Sequence, residues 1–399
     1  MQRRSSGRLG CNVGYSDMKL NWDSISRRFE EPASEYRRSG PRAGDRRLRV
    51  NIISESQFNV KSHGVHTAFE EAAHALHARP ELEVMINAPP WLHVDVVHVH
   101  TVGPFALLAL KQRRALRIIT THLTPDSLDG SLAGAKYYAR LTRAYLRHFY
   151  GMGDALVAVS STSAQELEDL GLQRSTIHIL PNSIDMKQVG TSKRRADLRR
   201  ELGFDERRLV AISVGQLQPR KGISEFVALA RTHPDILFVW VGSILFGPAS
   251  AAHRKMHALA RIQLPNLRFM GSVPRARVFD LLSAADIYIS TSLHETFGLS
   301  TLEAAASGLP LVLTDLPVFR ETYGPSAQYG PPGQLAGALN DVARNAMLRA
   351  SIGRQVREVA LKFDSARQAE LLVSIYRSLL LRHEVGSRLL SNTHQLKIR

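Results

Sequence analysis

The sequence predicts an α/β fold built from two parallel-sheet domains in series, facing each other across a cleft. Three observations carry the prediction. Short β-rich runs alternate with helical stretches along most of the 399 residues, the pattern of a parallel sheet covered by helices. The rhythm breaks at Pro181-Asn182 and restarts at Leu209. The length suits two domains of roughly 150 residues each, with no short internal repeat.

Residues 1–47 read as a basic tail, mostly disordered. Arg3-Arg4, Arg27-Arg28, Arg37-Arg38 and Arg46-Arg47 punctuate a Ser-, Gly- and Pro-containing stretch without an apolar period. An over-extended start, with Met18 as the true first residue, is the alternative. Order is expected from Leu48, with a strand to Ile53. A polar loop ending Ser62-His63-Gly64-Val65 follows, then a helix over Thr67–His77. Further strands are expected at Val94–Val99, Arg117–Thr121, Ala155–Val159 and Ile177–Leu180, with helices at Ala135–Tyr150 and Ser163–Leu170. The polar stretch after Asn182, with Lys193-Arg194-Arg195 and Arg199-Arg200, reads as a linker. Beyond it come strands at Leu209–Val214, Leu237–Val241, Leu267–Met270, Ile287–Ser290 and Leu311–Thr314, with a helix at Ile223–Arg231. The domains are accordingly 48–190 and 191–363, with 364–399 as a C-terminal segment. Ligands of open parallel sheets bind beyond the carboxyl ends of the strands.

Composition narrows the partners. The formal charge of +16 favours polyanions: nucleic acid, nucleotide phosphates or anionic lipid. Cys11 is the single cysteine, so no internal disulfide forms. No apolar run approaches the roughly 18 residues that span a bilayer, and the N-terminus lacks the apolar core of a secretory signal. No zinc-ligand set or aromatic RNA-binding signature supports a nucleic-acid-binding protein, the reading that the basic tail invites.

Three segments at strand ends carry chemistry. In Gly215-Gln216-Leu217-Gln218-Pro219-Arg220-Lys221-Gly222 a glycine lets the backbone approach a ligand, and two cations precede a helix N-terminus that itself attracts anions. This suits a diphosphate. Gly271-Ser272-Val273 is a small-residue turn able to hold a flat base against backbone amides. In Glu295-Thr296-Phe297-Gly298-Leu299-Ser300, the amides of Phe297 to Ser300 open a helix and can receive phosphate or sugar oxygens. Glu295 lies in the loop, where it can accept from sugar hydroxyls. Glu303 lies one turn into the helix, amid Leu302 and Ala304-Ala305-Ala306, where it can reach a ribose. A solvated basic turn and an exposed helix acid are the plain structural alternatives.

The two acids set around Phe-Gly, with the Pro-Arg-Lys-Gly loop upstream, resemble glycosyltransferase family 4, retaining enzymes of the GT-B fold with two Rossmann-like domains. The resemblance spans about Val50 to Arg382. It implies that the first domain holds the acceptor and the second the nucleotide-sugar donor, and that a C-terminal helix returns toward the first domain. It implies that Arg220 and Lys221 hold the donor diphosphate, Glu295 the transferred sugar and Glu303 the ribose. His63-Gly64-Val65 matches the family's N-terminal glycine loop, and His122 a histidine that points at the donor sugar. Where many members carry Arg this chain has Gln216, so part of the usual phosphate grip is missing and Arg220 is placed to compensate. No Asp-x-Asp occurs, so no metal and no other cofactor is expected.

The acceptor reading rests on the helix Ala135–Tyr150. Lys136, Arg140, Arg143 and Arg147 fall at intervals of four, three and four and line one face, with Tyr138, Leu141, Tyr145, Leu146 and Phe149 supplying apolar bulk. A basic amphipathic helix with aromatic residues suits a membrane surface; an ordinary domain helix with its apolar side packed inward is the alternative. The run His122 to Lys136, with Val214-Gly215-Gln216 and Pro219-Arg220-Lys221-Gly222, is similar to bacterial diacylglycerol glucosyltransferases. That similarity implies UDP-glucose as donor, a lipid acceptor, and a cytoplasmic enzyme held peripherally on the inner face of the plasma membrane. A family 4 transferase acting on a soluble or polysaccharide acceptor is the alternative.

Overall fold

The computed structural model describes residues 46–59, 64–112, 114–128, 135–244 and 252–396. The tail before Arg46, His63 of the glycine loop, the stretch 129–134 and the side chain of Lys136 lie outside the described residues.

Two six-stranded sheets follow one another, and every recorded strand pair is parallel. The first has the order β2-β1-β3-β4-β5-β6. Its strands are β1 (Leu48–Ile53), β2 (Leu82–Ile86), β3 (Val96–Val99), β4 (Leu116–Thr121), β5 (Ala155–Ala158) and β6 (Ile177–Ile179). The second has the order β12-β11-β10-β7-β8-β9. It comprises β7 (Val210–Val214), β8 (Leu237–Val241), β9 (Leu267–Phe269), β10 (Ile287–Ser290), β11 (Leu311–Thr314) and β12 (Gln328–Gly330). Helices cover both faces of each sheet. The inner strands therefore read as continuous apolar runs, and Leu-Phe-Val-Trp-Val of β8 is buried throughout. β2 and β12 were not anticipated. β2 is an edge strand with only Leu82 buried, and β12 is three residues long. β12, Gln-Tyr-Gly, has no aliphatic residue to mark it.

The expected linker needs a correction. Arg195–Leu202 forms a helix that packs on the second unit. Arg199 is buried there, pairing with Asp286 at 3.2 Å and donating to the carbonyls of Asp205 and Arg208. The chain passes between the units at Ile184, whose amide donates to the Phe363 carbonyl at 3.0 Å, while the Ser365 amide donates back to the Ile184 carbonyl at 3.0 Å. The two passages thus run side by side. From Ser365 a helix to Leu396 returns to the first unit. Its residues Ala369, Leu372, Ile375 and Tyr376 join Val50, Phe69, Leu76 and Ile118 in one buried cluster.

Candidate active site

A cleft of about 800 Å³ opens between the carboxyl ends of the two sheets. The first unit supplies Gly64, His100 and His122 to its wall. The second supplies Gly215, Gln216, Arg220, Lys221, Ser272, Val273, Glu295, Phe297, Gly298, Leu299, Ser300 and Glu303.

The loop after β7 is rigid because of its backbone. The Gly215 amide donates to Val241 (2.9 Å), and the Trp240 indole donates to the Gly215 carbonyl (2.9 Å). Gly222 sits at φ 68°, and a Cβ there would overlap the Thr291 carbonyl, so glycine is required on both counts. The Leu293 amide donates to Arg220 (2.7 Å) and the Thr291 hydroxyl to the Lys221 carbonyl (2.9 Å). These bonds fasten the cation turn to the loop that carries Glu295. Lys221 Nζ stands 2.5 Å from Glu295 Oε1 and Arg220 Nη1 3.8 Å from Oε2, while the Ser292 hydroxyl donates to Oε1 at 2.8 Å. Burial pushes the Glu295 carboxyl up, but Lys221 and Arg220 outweigh it and hold its pKa below the ordinary value. Burial also pushes the Lys221 ammonium down, against the pull of Glu295. The result is a compact ionised cluster on the cleft wall with two cations to one carboxylate, an excess of positive charge that suits a doubly charged leaving group.

Gly298, at φ 87°, opens the helix Leu299–Ala306. Gly298, Leu299 and Ser300 line the cleft, and the Tyr288 hydroxyl donates to Ser300 Oγ at 3.0 Å. Glu303 is buried on this helix, not solvated. Burial raises its pKa, while Arg275, whose Nε donates to Oε1 at 3.2 Å, works in the opposite sense.

On the opposite wall His122 follows β4. Its Nε2 lies 3.1 Å from His100 Nδ1 and the two rings stack with centres 5.3 Å apart, while His98 lies tilted against His100 with ring centres 4.5 Å apart. His98 is fixed by Thr120 and by Tyr376 of the C-terminal helix, each at 2.7 Å. Burial drives the His98 pKa down to about 3 and that of His100 well below its ordinary value. Both rings are therefore neutral, and together they form an uncharged backing for His122.

One expectation is revised. Gly271 does not line the cleft: its carbonyl accepts the Gly242 amide at 2.8 Å, closing a bridge between the turns after β8 and β9. Arg140, Arg143 and Arg147, expected on a membrane or acceptor face and not in the cleft, are exposed and outside its lining. From Tyr138 on, the apolar side of their helix is not packed inward at once: Tyr138 is 64 % and Leu141 71 % exposed, and burial begins at Leu146. Sequence reasoning missed Arg275, Glu71 and His100. Each is a single residue whose partner is distant in sequence, so no local spacing marks it. Among the described residues no group of three His, Cys, Asp or Glu is placed to hold a metal ion.

Two facing parallel sheets with a basic, glycine-framed cleft define a GT-B glycosyltransferase. The description "Glycosyltransferase Family 4" matches residues 43–188 and "Glycosyl transferases group 1" residues 194–359, and the chain belongs to this family. It is 30 % identical over 281 residues to the alpha-galactosylglucosyldiacylglycerol synthase of Streptococcus pneumoniae, covering 69 % of this chain and 74 % of that protein. It is 27 % identical to the processive diacylglycerol alpha-glucosyltransferase of Acholeplasma laidlawii, covering 68 % and 80 %. Among solved structures, Anabaena HepE in complex with UDP and glucose superposes with a TM-score of 0.68 at 18 % identity, covering 83 % of this chain and all of that one. Sucrose-phosphate synthase from Thermosynechococcus elongatus gives 0.71 at 17 %, covering 84 % and 100 %.

Proposed function

We propose that the protein transfers a hexose, glucose by our reading, from a nucleotide sugar such as UDP-glucose to a membrane lipid of the diacylglycerol type, with retention at the anomeric carbon and without a metal. The observation that carries the donor half is the convergence of Arg220, Lys221, Glu295 and the helix N-terminus at Gly298–Ser300 on one wall, with His122 on the other. The bond from the anomeric carbon to the diphosphate oxygen breaks first, leaving an oxocarbenium-like sugar. Charge collects on the diphosphate, and Arg220, Lys221 and the amides of Phe297 to Ser300 stabilise it. Glu295 accepts hydrogen bonds from sugar hydroxyls, Glu303 from the ribose, and His122 approaches the sugar from the first unit. The acceptor hydroxyl then adds to the anomeric carbon and its proton leaves with the diphosphate. Gly64, Gly215, Gln216, Ser272 and Val273 bound the donor. The placement of two protein cations where a divalent ion would neutralise phosphate supports metal independence.

The acceptor half rests on the names of the relatives and on the exposed helix Ala135–Tyr150. No helix among the described residues is long and apolar enough to cross a membrane. Attachment to the inner face of the plasma membrane through Lys136, Arg140, Arg143 and Arg147 fits a lipid acceptor. The test is incubation with radiolabelled UDP- and GDP-sugars and a lipid panel in EDTA. Label in a lipid product whose NMR coupling marks an α-anomer is expected. Label in water-soluble product alone would overturn the lipid acceptor, and activity only with added Mg²⁺ or Mn²⁺ would overturn metal independence.

A further inference from the structure

Arg275 is the first residue of the helix Arg275–Ala284, directly after Ser272-Val273-Pro274 on the cleft wall. It touches two buried carboxylates that belong to different units. Its Nη1 forms an ion pair with Glu71 Oε1, on the helix Gly64–His77 of the first unit. Its Nε donates to Glu303 Oε1 at 3.2 Å in the second. The third nitrogen, Nη2, is buried without a hydrogen-bond partner among the described residues. Glu71 is itself anchored: its Oε2 accepts the Asp185 amide at 2.8 Å, beside the passage between the units.

We propose that Arg275 is a positioning residue that orients Glu303 toward a nucleotide ribose and, through Glu71, ties that orientation to the seating of the first unit on the second. This rests on the reading of Glu303 as the ribose acid. Arg275 takes Oε1 of Glu303 and leaves Oε2 for a ribose hydroxyl. Without the guanidinium, two buried acids would face one another, and one of them would take up a proton rather than stay charged. A protonated Glu303 is a poorer acceptor for the ribose. Glu71 touches no part of the ribose site, yet it holds the far side of Arg275. Donor affinity therefore depends on a residue of the opposite unit, and nucleotide binding and unit closure reinforce one another.

The experiment is a double-mutant cycle read by calorimetry with UDP and with GDP on the full chain: wild type, Glu71→Gln, Arg275→Met and the double variant. Each single change is expected to weaken nucleotide binding about tenfold and to raise donor KM more than it lowers kcat. The double variant should bind no more weakly than the weaker single, because both act through one contact. Arg275→Lys should restore part of the loss. Losses that multiply to about a hundredfold in the double variant would overturn the coupling. A second readout is independent of nucleotide: spin labels at the exposed positions Lys111→Cys and Glu206→Cys, one in each unit, with Cys11→Ser. Glu71→Gln and Arg275→Met are each expected to broaden the distance distribution. An unchanged distribution would overturn the tie between units. If wild type binds neither nucleotide while the distribution still broadens, the ribose assignment of Glu303 fails and the tie between the units stands.

Discussion

Glu295 and Glu303 sit on one loop–helix unit but in opposite electrostatic settings. Glu295 is held below its ordinary pKa by Lys221 and Arg220, against burial. Burial raises Glu303. Glu295→Gln keeps shape but frees Lys221 and removes the anionic acceptor, so it should lower turnover by about tenfold to a hundredfold while leaving UDP affinity within a few-fold. Lys221→Ala removes a charge-assisted contact to the leaving group, worth about 3 kcal/mol and so roughly a hundredfold in kcat/KM. Steady-state kinetics with calorimetry on each variant checks both; Glu303→Gln should instead weaken UDP binding, and equal losses of nucleotide affinity in Glu295→Gln and Glu303→Gln would end the division of roles. The sign for Glu303 follows from its raised pKa. Its carboxylate is fully charged only above that value, so acidification through the range above 4.5 should protonate it and weaken nucleotide binding. Comparing UDP affinity of wild type and Glu303→Gln across pH 5 to 8 cancels the titration of the phosphate itself. Parallel curves would exclude Glu303 as the titrating group. The acids and the Arg-Lys pair were legible in the sequence because each cluster lies within one local stretch. Glu71 beside Arg275 was not, since only the closure of two sheets brings them together.

The turn Pro219–Lys221 and the helix Ala135–Tyr150 make the predictions that belong to whole elements. Gly222→Ala would place a Cβ against the Thr291 carbonyl at a left-handed φ of 68°. A cost of about 2–4 kcal/mol in stability is expected, with loss of donor binding; chemical denaturation together with calorimetry measures the two. For the amphipathic helix, periodicity could show a basic face but not whether the apolar face was covered, because covering depends on neighbours. Tyr138 and Leu141 prove uncovered. Exchanging both for Ser should therefore leave the melting temperature within about a degree, since neither is buried, and still reduce sedimentation with anionic vesicles. Glu at Lys136, Arg140, Arg143 and Arg147 should reduce it further, at about 1 kcal/mol per basic residue that reaches the surface, and salt should mimic the effect. Protein beginning at Leu48 is the right material, because the basic tail would bind vesicles by itself. Unchanged sedimentation in both variants would return the helix to an ordinary domain element.

At the scale of the molecule, the buried inner strands were legible, as were the short edge strands β6 and β9, whereas the edges β2 and β12 were missed; β12, Gln-Tyr-Gly, offers no aliphatic residue to mark it. The return of the C-terminal helix followed from family resemblance and not from periodicity. Its contacts with β4 and the helix Gly64–His77 make it part of the first unit's core. Removing residues 365–399 should uncover Val50, Phe69 and Leu76 and leave the first unit unable to fold, while the second keeps its own core. Calorimetry would then show the loss of one transition, and two intact transitions would refute the dependence. The same arrangement sets a timetable for synthesis. Translation at about 5–20 residues per second leaves an interval on the order of tens of seconds between the emergence of β1 and that of Tyr376. During that interval the nascent first unit lacks the helix that seals it, and His98 lacks the hydroxyl that fixes it. The half of the enzyme made first thus waits on Ala369, Leu372, Ile375 and Tyr376, which follow the second unit in the chain, to close its core.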